Sequence, residues 1–242
     1  MITSFIFDLD GTLVKTEKLK AISYARAAIE IAPGKLNQAQ VMETFKNVVG
    51  LSRQEVAEKL ISLLNIREEA KNFITQYSTE KPWQVLLELR LYHYQKIIHN
   101  STLLKEHACP YNIGLLNWAH EQSHKTGLGT MSHREQTSYV LDILQLSQKF
   151  DIIATRDDVS NGKPDPEIYQ LIAMKLKSEH ENCLVIEDSP AGIEAVLSAG
   201  MHCIAVTNEL TRDQVHASGL LNSHQIIDHL PSLLETVKSF IS

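Results

Sequence analysis

The chain begins with a short, largely apolar run. Residues 2–7, rich in Ile and Phe, have the length and composition of a strand buried on both faces, and the run breaks off at the polar, turn-forming Asp8-Leu9-Asp10-Gly11-Thr12. The period then changes. From about residue 17 to residue 100 the apolar residues recur at helical spacing. Val56, Leu60, Leu63 and Leu64 fall at i, i+4, i+7 and i+8, and Trp83, Leu86, Leu87, Tyr94, Ile97 and Ile98 repeat the period over a longer stretch. No convincing strand pattern interrupts this block. Beyond about residue 103 apolar runs alternate with helical patterns: helix 113–125, strand 127–131, helix 134–146, strand 150–154, helix 166–176, strand 183–186, helix 190–199, strand 202–206, the short Gln225-Ile226-Ile227, and a last helix after Pro231. Such alternation predicts a parallel sheet with helices on both faces.

The first strand is thus cut off from the rest of the α/β pattern by a helical insertion at 17–100, far longer than an ordinary loop. It must pack as a unit of its own. The expected organisation is an α/β core from residues 1–16 and 101–242 and a helical cap from residues 17–100. Tethered near Lys15 and near Leu104, such an insert can move as a lid over the carboxyl end of the first strand. There is no internal repeat and no low-complexity segment.

Composition narrows the function class. A chain of 242 residues with 43 % hydrophobic content can bury a sizeable core without disulfides or metals. The net charge of −6 argues against a duplex nucleic-acid partner, which would call for a basic face. The apolar runs fall short of the ~18 residues of a membrane span. The first residues lack the basic start and long apolar run of a signal peptide, so a cytoplasmic protein with no membrane partner is expected. Cys109, Cys183 and Cys203 form neither a disulfide framework nor a zinc knuckle; they suit a reducing compartment and are expected in the core. A small-molecule-handling protein remains, and a monomer or weak dimer is expected.

Ligands in open α/β sheets bind at the carboxyl ends of the strands. The first strand ends in Asp8 and Asp10, alternate residues that share a face of an extended chain. The next ends in Thr130-Met131-Ser132. Asn161-Gly162-Lys163-Pro164-Asp165-Pro166 follows the strand at 150–154, and Glu187-Asp188-Ser189 ends the strand at 183–186. Carboxylates this close repel unless a cation or a proton compensates. Oxygen ligands select a hard cation such as Mg2+, and one Lys with hydroxyls suits a phosphoryl group.

These segments resemble, in order, the four motifs of the haloacid dehalogenase (HAD) superfamily: Phe7-Asp8-Leu9-Asp10-Gly11-Thr12-Leu13, the hydroxyl residue Thr130, Gly162-Lys163-Pro164-Asp165-Pro166, and Glu187-Asp188-Ser189-Pro190-Ala191-Gly192. The helical insert is similar to the cap of the subgroup that carries it after the first motif. The resemblance implies a Rossmann-like α/β fold and a Mg2+-dependent phosphatase acting on a small phosphorylated metabolite. It implies Asp8 as the nucleophile and Asp10 as general acid, then base. Asp8, Asp188 and the backbone carbonyl of Asp10 would bind Mg2+, with Glu187 in support. Thr130 and Lys163 would hold phosphoryl oxygens, and Ser132 is a further substrate-binding candidate. The chemistry is coherent, because a carboxylate attacking an anionic phosphate needs its charge screened.

Departures from the family pattern bear on the substrate. Lys15 stands where Asp or Asn is frequent, Lys20 where His is frequent, and Asn112 of Cys109-Pro110-Tyr111-Asn112-Ile113 where Gly is usual. Gly50-Leu51-Ser52-Arg53 resembles a stretch of β-phosphoglucomutase-like members in which the Arg binds a distal phosphate, which makes Arg53 a substrate-binding candidate. A solvated position at a helix start is the plainer reading of Arg53, as capping is for Ser189-Pro190. His120-Glu121-Gln122-Ser123-His124 satisfies the H-E-x-x-H zinc pattern, but is read as two surface His on one helix. Asn100-Ser101-Thr102 is read as a chance sequon. The runner-up function is a β-phosphoglucomutase-like isomerase; a catalytically idle binding or regulatory member is the alternative of another class.

Overall fold

A computed structural model describes residues 1–48 and 51–241. The chain divides into two compact units, Met1–Lys15 with Leu104–Ser242, and Thr16–Leu103.

The first unit is built on six strands: β1 (Ser4–Phe7), β2 (Lys125–Gly129), β3 (Ile152–Ala154), β4 (Cys183–Glu187), β5 (His202–Val206) and β6 (Ile226–Ile227). They lie in the order β3-β2-β1-β4-β5-β6, all neighbours parallel. β1 is central, with every residue buried, which is why Phe5, Ile6 and Phe7 follow one another without a polar interruption. The chain moves outward from β1 to β2 and β3, then returns to the other side of β1 as β4. Strand order therefore reverses between β1 and β4, where the rule for open sheets places a ligand crevice.

Helices Pro110–Glu121, Arg134–Leu144, Glu167–Leu176, Pro190–Ser198, Arg212–Ser218 and Leu233–Ile241 complete this unit. Helix Glu167–Leu176 approaches β2 closely because β2 carries two glycines. A Cβ at Gly127 would lie 2.5 Å from Ile172, and one at Gly129 would lie 2.9 Å from Ile172 and 3.3 Å from the Tyr169 ring.

The second unit is helical: Thr16–Ile31, Gln38–Phe45, Arg53–Leu63, Arg67–Lys71 and Pro82–Ile98. Two of these helices start in capping boxes, Asn37 with Gln40 and Ser52 with Glu55. Its core includes Ala28, Ile31, Val41, Leu60, Ile66 and Leu86. No helix among the described residues is long and apolar enough to cross a membrane.

Four details differ from the pattern reading. β2 runs from Lys125 to Gly129, two residues earlier than expected, so Thr130 and Ser132 follow the strand. The reason is the early end of the preceding helix at Glu121, with Ser123 in the left-handed region at φ 60°. The H-E-x-x-H segment is consequently not helical throughout. His124 is half-buried and packs on Phe5 and Trp118, with ring centroids 4.9 and 5.7 Å away, and burial lowers its pKa. Leu63, counted on the apolar face, is 57 % exposed, while Val56, Ala57, Leu60, Ile61 and Leu64 are buried. At about 100° per residue those five centre roughly 90° from Leu63, which leaves it on the rim. β3 starts at Ile152, two residues later than the apolar run at 150–154. The three cysteines are buried thiols.

Candidate active site

The ladder bond from Asp8 N to Ile186 O (3.0 Å) carries β1 pairing one residue past the strand and sets Asp8 beside Glu187 and Asp188. The chain then folds back on itself, with Gly11 N donating to Val14 O at 2.7 Å. Gly11 has φ +92°, and a Cβ there would lie 2.0 Å from Asp188 Oδ2, so this turn needs glycine for its conformation and for the close approach. Asn112, the residue that departs from the usual Gly, donates from Nδ2 to Thr12 O at 2.5 Å and pins the turn from the neighbouring helix. Gly192 has a matching role, because a Cβ would lie 1.9 Å from Glu187 Oε1.

Lys163 reaches into this cluster with only 7 % of its side chain exposed. Its Nζ donates to Asp8 Oδ1 (2.7 Å), Glu187 Oε1 (2.6 Å) and Gly129 O (3.1 Å), which occupies all three N–H bonds of an ammonium. The loop that carries it is closed by Glu167, whose carboxylate accepts from Ser160 N and Asn161 N. Glu187 is the most heavily bonded acid. It accepts from Lys163 and Tyr169 on Oε1, and from Asp188 N, Ser189 N and Ser189 Oγ on Oε2.

Asp8 and Glu187 share Lys163 yet titrate in opposite directions. Burial pushes the Asp8 carboxyl up to about 7, against the pull of Lys163. Burial works on Glu187 as well, but Lys163 and the other donors hold it below its ordinary value. The difference follows from the bonds: both Glu187 oxygens are occupied, whereas Asp8 Oδ2 is buried with no hydrogen-bond partner. Burial also opposes the charge of Lys163, but its two carboxylates outweigh that and hold its pKa above the ordinary lysine value.

Asp10 is turned toward different partners. Its Oδ2 accepts from Thr130 Oγ1 (3.0 Å) and Ser132 Oγ (2.7 Å), and Thr130 Oγ1 in turn accepts from Ser132 N (3.0 Å). The first unit thus gathers Asp8, Asp10, Thr130, Ser132, Lys163, Glu187 and Asp188. Arg53 belongs to the second unit, exposed at the first turn of its helix, where Ser52 caps. Gly50 of the Gly-x-Ser-Arg stretch lies outside the described residues. Lys20, in the same unit, pairs with Glu17 at 2.5 Å.

Two neighbours of the cluster were not anticipated. Asn208 Nδ2 donates to Asp188 Oδ2 at 2.8 Å; it follows β5, so the rule that singled out the other strand ends also applies to it. Tyr169 sits on a helix and had no comparable signal.

The site fits a divalent cation. Ligand oxygens of Asp8, Glu187 and Asp188 lie within 4.8 Å of one another, and the unpartnered Asp8 Oδ2 is a buried carboxylate oxygen in need of a cation or a proton. Glu187 is engaged by five donors, whereas Asp8 accepts from Lys163 through Oδ1 and Asp188 from Asn208 through Oδ2.

Residues 5–206 match the haloacid dehalogenase-like hydrolase family. A phosphorylated-carbohydrates phosphatase of Thermotoga maritima is 31 % identical over 199 residues, 82 % of this chain and 82 % of that one. A β-phosphoglucomutase of Bacillus subtilis is 28 % identical over 201 residues, 83 % of this chain and 81 % of that one. The crystal structure of a β-phosphoglucomutase from Clostridium difficile is similar with a TM-score of 0.66 at 26 % identity, covering 100 % of this chain and 99 % of that one.

Proposed function

Because the chain belongs to the haloacid dehalogenase-like hydrolase family, we propose that it is a Mg2+-dependent phosphohydrolase that releases phosphate from a small phosphorylated metabolite through an aspartyl-phosphate on Asp8. The observation that carries this reading is the buried Asp8, bonded to Lys163 through one oxygen and unpartnered at the other, with Asp10 two residues on. Asp8 attacks phosphorus, the bond to the leaving oxygen breaks, and Asp10 delivers a proton to that oxygen. Asp10, now a carboxylate, takes a proton from water as the water attacks phosphorus, and the bond to Asp8 breaks. Lys163 offsets the charge that gathers around Asp8. Thr130 and Ser132, which hold Asp10 in this structure, have hydroxyls that can turn to phosphoryl oxygens. Mg2+, held by Asp8, Asp188 and the Asp10 carbonyl, would supply further charge neutralisation.

A phosphosugar isomerase, which would return the phosphoryl group to sugar instead of water, is the second reading. Arg53 and the mutase relatives favour it, and Lys20 in place of the usual His weighs against it. Assay of the purified protein with Mg2+ against sugar phosphates, phosphoglycolate and nucleotides, reading both free phosphate and isomerised sugar, separates the two. Turnover of neither kind argues for an idle member.

Arg53 is proposed to bind a second anionic group of the substrate. Arg53→Ala is expected to raise KM for a doubly phosphorylated substrate roughly tenfold or more, and to leave that for p-nitrophenyl phosphate within about twofold. An unchanged KM for every substrate removes Arg53 from the site.

Mg2+ binding is expected to depend on pH. The folded-state pKa of Asp8, about 7, lies above its ordinary 3.8, so the stability it contributes is present below about pH 4 and is lost as pH rises through 7. Ionised Asp8 therefore costs the metal-free fold, and Mg2+ compensates that cost. The Mg2+-induced rise in Tm should be small at about pH 5 and larger at about pH 8. Equal rises at both would separate metal binding from Asp8.

A further inference from the structure

Tyr169 lies beneath the cluster, fully buried, on the helix Glu167–Leu176. Its hydroxyl donates to Glu187 Oε1 at 2.8 Å, the same oxygen that takes Lys163, and the Lys163 Nζ stands 4.9 Å from its ring centroid. The helix can bring the ring there because Gly129 has no side chain to exclude it. One residue thus meets both halves of the Lys163–Glu187 pair, through its hydroxyl on the anion and its π-face on the cation.

We propose that Tyr169 is a positioning residue that divides Lys163 between its two carboxylates in favour of Asp8. The proposal rests on the reading of Asp8 as nucleophile. Oε1 of Glu187 is shared by two donors, so part of its hydrogen-bonding capacity goes to the phenol and its hold on the ammonium is weakened. Without the hydroxyl, Oε1 has Lys163 as its single donor and draws it closer. The hydrogen bond from Lys163 to Asp8 then lengthens, and the carboxylate that must attack an anionic phosphate loses part of its counter-charge. The ring, its centroid 4.9 Å from Nζ, packs against the ammonium beside the three acceptors Asp8, Glu187 and Gly129.

The test is Tyr169→Phe, which keeps the ring and removes one oxygen. With p-nitrophenyl phosphate and saturating Mg2+, kcat should fall about tenfold while KM stays within about twofold, because the loss falls on the attacking step rather than on ester binding. A second readout does not need turnover. A buried ammonium with all its N–H bonds on protein acceptors exchanges slowly with water, so Lys163 should give a 1H–15N signal, assigned by its absence in Lys163→Met. Tyr169→Phe should shift or broaden that signal. A variant with wild-type kcat and an unmoved ammonium signal overturns the proposal. Equal loss of kcat in the variant with an unmoved signal also overturns it, since the effect would then not pass through Lys163. If the wild type turns over no phosphate ester, the functional reading fails by itself, and the ammonium signal still decides whether Tyr169 holds Lys163.

Discussion

Asp8→Asn is expected to abolish phosphate release, lowering kcat by roughly 10⁴-fold or more, and to leave the protein folded. The amide keeps the shape of the carboxyl and can still accept from Lys163, so binding of the ester changes less than its cleavage. Stability should move the other way from activity. Asp8, Glu187 and Asp188 are buried around a single lysine, and burial already pushes the Asp8 carboxyl up to about 7. A neutral Asn relieves that crowding of charge, so without Mg2+ the variant should melt at or above the wild-type temperature at about pH 8, and the advantage should fade toward about pH 5, where Asp8 is protonated anyway. Phosphate release and a thermal midpoint at each pH check both halves. A variant that keeps a tenth of the activity would remove Asp8 as nucleophile, and one that melts well below wild type would mean that the charge of Asp8 supports the fold rather than burdening it.

Lys163→Met should be the most destabilising single change in the site. It retains a linear side chain of similar length and removes the charge, leaving Asp8 and Glu187 buried without a cation. Breaking a buried pair by removing one partner costs about 3–5 kcal/mol. The pH dependence has a defined sign. In the wild type, Lys163 holds Glu187 below its ordinary 4.5, so that contribution is present above about pH 4.5 and is lost as pH falls through the lowered value. The raised pKa of Lys163 contributes stability below its ordinary 10.5, lost only as pH rises through the still higher folded value. Both contributions vanish in the variant, and its carboxylates are expected to rise in pKa and to protonate earlier on acidification. Denaturant unfolding should therefore show a deficit that is large at about pH 8 and shrinks toward about pH 4. A deficit that does not change with pH would assign the loss to packing rather than to charge.

Much of this was present in the order of residues. Short apolar runs and the period-3.6 pattern separate a strand-helix core from a helical insert without any tertiary information, because the pattern records how each element is buried. The rule that ligands gather at strand carboxyl ends picked out Asp8, Asp10, Thr130, Glu187 and Asp188, since each lies within a few residues of a recognisable apolar run, whereas Lys163, well past the run at 150–154, was singled out by its place between Gly162 and Pro164 in the order of the motifs. The same rule reaches Asn208 past β5. Boundaries were less well determined where the deciding event is local geometry. The left-handed Ser123 ends a helix early and moves β2, and no periodicity encodes that residue's φ.

Bond partners belong to the tertiary structure. The sequence determined that one lysine and several carboxylates converge, because strand ends in a parallel sheet share an edge. Only the three-dimensional packing decided that Lys163 spends its three N–H bonds on Asp8, Glu187 and Gly129, and that Thr130 and Ser132 hold Asp10. The same packing left Asp8 Oδ2 without a partner and slid Tyr169 under the ammonium through the gap at Gly129. The physical reason is range. Burial and periodicity are written along the chain over a few residues, whereas a hydrogen bond between Lys163 and Asp8 joins atoms 155 positions apart and is selected by ångström-scale geometry that a one-dimensional pattern does not contain.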